Sequence, residues 1–62
     1  MKKIYCAVIY WRNKLDLIAS FDNENQAVNW LLFHEQCTDD VRDYKLKMLD
    51  EDGWHLVLDY SC

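Results

Sequence analysis

The chain has 62 residues, of which seven are basic and eleven acidic, so its formal net charge is −4. A chain this short forms one hydrophobic core, and we expect a single domain over residues 1–62. The acid excess argues against direct binding of nucleic acid, because Lys and Arg contacts to phosphate supply most of the non-specific affinity. The chain has three cysteines, and this odd number argues against a secreted disulfide framework.

The first two predicted elements are strands that form a hairpin. Lys3–Trp11 is rich in β-branched and aromatic residues and is apolar on both alternating faces, which is typical of a central strand. Leu15–Phe21 alternates apolar with more polar residues, which is typical of a strand with one buried face. The polar residues between them predict the turn.

A helix is predicted next, from about Glu24 to Gln36 or Cys37. Asn23 followed three residues later by Gln26 fits a capping box at its start. Its apolar positions cover a wider arc than one sheet face requires. Either the extra aromatic side chains fold inward over the core, or part of the helix contacts another protein.

The last two predicted strands form a second hairpin. Tyr44–Leu49 and Trp54–Tyr60 flank a tight turn in which Gly53 can supply the positive φ. The order is ββαββ. We therefore expect an α+β fold in which two β-hairpins form an antiparallel sheet and one helix packs on one face.

Strand periodicity assigns side chains to the two faces of this sheet. The face under the helix is predicted to carry Ile4, Val8, Leu17, Phe21, Leu46, Met48, Leu56 and Leu58. The opposite face is predicted to carry Tyr5, Ile9, Trp11, Ile18, Leu49 and Val57, among charged residues. Leu31 and Trp54 are also assigned to the core. The opposite face is either a half-solvated sheet surface or a docking face rich in aromatic residues.

The sequence gives only weak evidence for a metal site or an active site. His34 and Cys37 are one helical turn apart, and Cys6, Cys62 or His55 could complete a zinc site. The chain lacks the Cys-x-x-Cys spacing typical of structural zinc, so we expect neither metal nor cofactor. A single glycine offers no loop for an oxyanion pocket, and the carboxylates cluster in predicted exposed loops. We therefore expect no enzyme activity.

The acidic clusters have two interpretations. Asp39, Asp40 and Asp43 precede the third strand, and the turn of the second hairpin carries three more carboxylates, Asp50, Glu51 and Asp52. Turns are commonly acidic because they are solvated. Alternatively, the carboxylates could imitate phosphates and occupy a basic groove on another protein.

One segment resembles a recurring pattern in short proteins of phages and mobile elements. Residues 21–31 run from Phe-Asp at a strand end into a polar helix start with Ala and Trp, after a Tyr-x-x-Val-x-Tyr strand. The group includes anti-CRISPR proteins and other host-takeover inhibitors. The resemblance implies a small protein that binds and blocks a larger one, and it carries over no functional residues.

The leading functional hypothesis is a non-catalytic, protein-binding inhibitor or adaptor, encoded by a phage or mobile element. Its partner would be a host protein that handles nucleic acid, or a host defence complex. The alternative is a small structural or regulatory homodimer. The apolar stretches are too short to span a bilayer and no signal segment follows the N-terminus, so we expect a cytoplasmic protein. The predicted partner-binding residues are Trp11, Phe33, Tyr5, Ile9, Asp50, Glu51 and Asp52.

Overall fold

A computed structural model of the chain describes residues 3–38 and 40–61. Its elements are strands β1 and β2, helix α1 and strands β3 and β4. Their bounds are β1 Ile4–Trp11, β2 Lys14–Phe21, α1 Glu24–Gln36, β3 Asp43–Asp50 and β4 Gly53–Ser61. The predicted ββαββ order and α+β fold are confirmed.

Both hairpin turns depend on positive φ angles. In the first turn Arg12 and Asn13 have φ of 53° and 64°, the left-handed geometry that matches the twist of a two-residue hairpin. In the second, Gly53 has φ of 111°, as predicted. There the Asp52 N–H donates to Asp50 Oδ1 at 2.8 Å, so the side chain at the end of β3 closes the turn.

The helix begins as its sequence predicts. Asn23 has extended backbone angles, and its Oδ1 accepts a hydrogen bond from the Gln26 N–H at 3.2 Å. This bond satisfies one of the N–H groups that a helix start leaves without an intrahelical partner. At the other end the Cys37 N–H donates to the His34 carbonyl at 3.2 Å.

The four strands form one antiparallel sheet in the order β2-β1-β3-β4. The two hairpins therefore join through β1 and β3, which are the inner strands. Helix α1 packs across β1, β2 and β3 on one side of the sheet. The Cα atoms extend over 38 × 20 × 15 Å, and the smallest of these dimensions is too thin for a third layer at about 10 Å per layer.

Two β-bulges change which side chains share a face. In the β1–β2 pair, Ile9 lies opposite Leu17 and Tyr10 opposite Leu15, so Asp16 is an extra residue on β2. In the β3–β4 pair, Leu46 lies opposite Leu58 and Lys47 opposite Leu56, so Val57 is an extra residue on β4. Each bulge exchanges the facing of the residues on its turn side.

The core is small and lies between the helix and the inner strands. Its fully buried members are Ala7, Ile9, Ala27, Leu31, Tyr44 and Leu46. The Tyr44 ring stacks on the Tyr60 ring with centroids 5.2 Å apart. Tyr60 also donates from its hydroxyl to Glu35 Oε2 at 3.3 Å, which connects β4 to the helix.

The predicted assignment of faces is partly wrong. Tyr5, Ile9 and Trp11 were expected away from the helix, yet strand alternation places them on its side, and Ile9 is fully buried. Ile4 and Val8 take the opposite side. The reason is the bulge at Asp16: a regular ladder from the Trp11–Lys14 pair would set Leu17 opposite Val8, whereas the bulge sets it opposite Ile9.

The second bulge overturns two core assignments. Leu56 and Trp54 have the same odd-even position as Leu58, which packs on the core. Because Val57 interrupts the alternation, Leu56 and Trp54 instead face away from the helix, with 58% and 57% of their surface exposed. The assignments of Leu31 to the core and of Ile18 to the side away from the helix are confirmed.

Adjacent leucines of the helix test this packing. We expect Leu31→Ala to lower the free energy of unfolding by about 2–5 kcal/mol, because it empties a fully buried position. Leu32→Ala should cost less than about 1 kcal/mol, because Leu32 is 43% exposed. Urea unfolding of both variants measures the difference. Equal losses would contradict the helix orientation described above.

Candidate functional site

No described element of the chain covers the side of the sheet turned away from the helix, and we call this side the open face. Strand alternation and the two bulges place its residues. Its apolar side chains are Ile4, Cys6, Val8, Tyr10, Leu15, Ile18, Leu49, Trp54 and Leu56. Ile18, Trp54 and Leu56 each expose more than half of their surface. Clustered exposure of large apolar residues is typical of an interaction surface.

A shallow cavity of about 490 Å³ occupies the middle of the open face. It is lined by Cys6, Val8, Tyr10, Leu15, Ile18, Lys47, Trp54, His55 and Leu56. Val8 forms its floor and is only 5% exposed, although the helix lies on the other side of the sheet. The open face therefore has a small apolar cluster of its own.

The described residues of the open face include two positive and two negative side chains. Lys45 lies opposite Asp59 on β4, and its Nζ is 5.7 Å from the centre of the Tyr10 ring. Asp43 lies opposite Tyr10 at the end of the sheet. Lys47 lies between Cys6 and Leu56, so its cross-strand neighbours are apolar.

The predicted acidic clusters lie at opposite ends of β3. Asp40 and Asp43 are at its start, and the turn with Asp50, Glu51 and Asp52 is at its end. Asp39 lies outside the described residues. Antiparallel pairing brings the end of β2 and the start of the helix to the level of that turn, because Tyr5 pairs with both Phe21 and Met48. The resulting acidic end consists of Asp22, Glu24, Asp50, Glu51 and Asp52.

The predicted contact residue Trp11 has a local role in the structure. The Arg12 guanidinium lies 4.5 Å from its ring centre and the Arg42 guanidinium 5.6 Å. Arg42 also pairs with Asp16, the bulged residue of β2, and donates from Nε to Thr38 Oγ1 at 3.3 Å. This cluster holds the first turn to the start of β3. Trp11 remains 36% exposed, and its role in partner binding stays a prediction.

Phe33 lies on the outer side of the helix and exposes 61% of its surface. Its ring meets the His34 ring edge-on with centroids 5.5 Å apart. Tyr5 and Ile9, which were predicted to bind the same partner, instead pack in or against the core. Ile9 is fully buried and offers no surface to a partner, whereas Tyr5 is partly buried and its role in partner binding stays a prediction.

The candidate metal ligands are dispersed. His34 and Cys37 line a cavity of about 200 Å³ beside Arg42, on the helix side of the sheet. Cys6 lies on the open face, and His55 Nε2 is 3.0 Å from Asp50 Oδ1. Cys62 lies outside the described residues. Within residues 3–38 and 40–61, no group of three or more His, Cys, Asp or Glu side chains could hold a metal ion.

No protein-family model, no curated protein and no solved structure matches the chain. The resemblance to phage accessory proteins therefore stays a prediction. Helix α1 is too short to cross a bilayer, and the described residues contain no other helix that could.

The turn at the acidic end predicts a specific pH dependence. The pKa of Asp50 is lowered from its ordinary value of 3.8, chiefly by the hydrogen bond from the Asp52 N–H and further by His55 and Lys3. A lowered pKa in the folded state stabilises the fold above pH 3.8, and this contribution is lost as the pH falls through the folded-state pKa.

The substitution Asp50→Asn removes the negative charge but keeps the hydrogen bond, because the amide oxygen can still accept from the Asp52 N–H. We expect the variant to melt below the wild type at pH 7, and the gap to close in strongly acidic buffer. Melting curves at a series of pH values measure it. A gap that is constant down to pH 2, well below the ordinary value of 3.8, would show that the Asp50 charge does not stabilise the turn.

Proposed function

We propose that this chain is a non-catalytic inhibitor or adaptor that acts by binding another protein. In this proposal it is encoded by a phage or mobile element, and it blocks a host protein that handles nucleic acid or a host defence complex. The contact is made by the outer side of the helix together with the acidic end.

The observation that carries the proposal is the outer side of α1. Its residues are Asn25, Asn29, Leu32, Phe33 and Gln36, all of which are exposed and none of which is charged. In a chain with 29% charged residues, the solvent-exposed side of a helix normally carries charged side chains. Depletion of charge around an exposed aromatic ring is instead typical of the centre of a protein interface.

The acidic end supports the choice of partner. Five carboxylates from two chain segments, residues 22–24 and 50–52, lie at this end of the sheet, and among the described residues His55 and Lys3 are the basic side chains that lower the pKa of Asp50. Proteins that handle nucleic acid present basic surfaces, which attract such an end through long-range electrostatics. Glu24 lies in the first turn of α1, so the acidic end adjoins the helix that carries Phe33.

The first test is capture of the partner from host lysate with tagged protein, followed by affinity measurements on the identified partner. We expect Phe33→Ala to weaken binding by about 2 kcal/mol while the melting temperature stays nearly unchanged. Val41→Ala is the matched control, because Val41 is a 72% exposed apolar residue outside the helix. Equal affinity of the Phe33→Ala variant and the wild type would reject the helix as the contact.

The acidic end has its own test. The double variant Glu51→Gln, Asp52→Asn removes two charges while leaving Asp50 to close the turn. We expect slower association with the partner and a weaker dependence of the association rate on salt, because exposed charges mainly steer encounter. Stopped-flow or surface-plasmon-resonance kinetics at several salt concentrations measure both. An unchanged association rate would show that the acidic end does not contribute to binding and is acidic only because its turn is exposed to solvent.

A further inference from the structure

The open face and the outer side of the helix lie on opposite sides of the molecule, so one partner bound to the helix leaves the open face uncovered. We propose that the open face is occupied by a second copy of the chain. The two sheets pack face to face, and both helices lie on the outside. The inference is independent of the identity of any host partner.

Charge is the first argument for a second copy. Among the described residues, the open face carries Lys45 and Lys47 with Asp43 and Asp59, so these charges cancel. The described residues include six basic and ten acidic side chains, so with two of each on this face the acid excess among them lies elsewhere. In a two-fold interface each surface meets itself, so a face with net charge would repel its copy. A neutral face that carries both signs does not.

The apolar content of the face is the second argument. Trp54, Leu56 and Ile18 each expose more than half of their surface around a cavity, while Val8 beneath them is already buried. Side chains from the facing sheet would fill that cavity, since packed sheets interdigitate across a layer about 10 Å thick. The aliphatic stem of Lys47 can cover apolar surface while its ammonium group approaches a carboxylate of either copy.

The available area limits the size of the contact. Strands of eight or nine residues span about 26 Å or slightly more, and four strands with their side chains span about 19 Å. Each copy therefore contributes about 500 Å², and the dimer buries about 1,000 Å² in total. That total lies at the lower limit for a specific interface, so the expected dimer is reversible and dissociates on dilution.

A second copy would also stabilise a protein whose own hydrophobic core is small. Only seven described residues, Val8 included, are buried, and chains of this length commonly gain stability from a second copy. Face-to-face packing would bury Trp54 and Leu56 without disturbing the helix. It would leave Phe33 exposed on both outer surfaces, so one dimer would present two copies of the proposed contact.

Sedimentation velocity over a range of protein concentrations tests the proposal without any partner. We expect the wild type to shift from monomer to dimer as concentration rises. Leu56→Asp should remain monomeric, because it places a carboxylate in the apolar centre of the open face. Leu32→Asp is the matched control on the helix and should dimerise like the wild type. A wild type that is monomeric at every concentration overturns the proposal, and so does a dimer that only Leu32→Asp disrupts.

Two charge-reversal substitutions give a second test of the dimer. This test remains valid even if the Leu56→Asp variant does not fold. Lys47→Glu gives the open face a net negative charge, whereas Lys14→Glu makes the same change at the first turn, outside the face. We expect Lys47→Glu to weaken dimerisation by about tenfold or more, because like charges then meet across the interface. Lys14→Glu should weaken it much less. Equal effects of the two substitutions would show that the interface lies elsewhere. Circular dichroism confirms that each variant is folded.

Discussion

Side chains alternate across a β-strand with a period of two, so one extra residue exchanges the two faces of everything beyond it. This constraint acts twice here, at Asp16 in β2 and at Val57 in β4. The first bulge sets Leu17 beside Ile9, which gives the helix the odd-numbered side of β1. The second sets Leu58 beside Leu46 under the helix and sends Leu56 to the other side.

The bulges thus divide the apolar side chains between two surfaces. The helix packs on a compact set in which Ala7 and Ala27 are fully buried, and such small side chains allow close approach of helix and sheet. The larger Trp54 and Leu56 go to the open face, where no element of the described chain covers them. Asp16, freed from the regular ladder, pairs with Arg42 and anchors the first turn.

The charged side chains, like the apolar ones, are unevenly distributed over the surfaces of the molecule. Among the described residues, the charges of the open face cancel, the outer side of the helix has no charge, and much of the acid excess lies at the ends of the sheet. A face-to-face dimer and a partner bound to the helix would use different surfaces, so the two proposals are compatible. Two helix contacts on one dimer would raise the avidity for a partner with repeated or paired sites.

Local signals in the sequence determined the elements themselves. The Asn23 cap, the Gly53 turn and the periodic segments predicted every strand and the helix to within one residue of the observed bounds. They also predicted that Leu31 is buried and Phe33 exposed. These features depend on residues close together in the chain, where capping, turn geometry and periodicity act directly.

Only the tertiary structure decided which side of the sheet the helix covers. Both faces of β1 are apolar, so periodicity has no preference between Ile9 and Val8. The choice rests on the register with β2, and the sequence around Asp16 and Val57 contains no glycine to mark a bulge. The strand order, with β1 beside β3, is likewise a long-range pairing that local propensity does not encode. Trp54 and Leu56 became candidate contact residues, and Ile9 became part of the core, because these long-range pairings determine which face each side chain occupies.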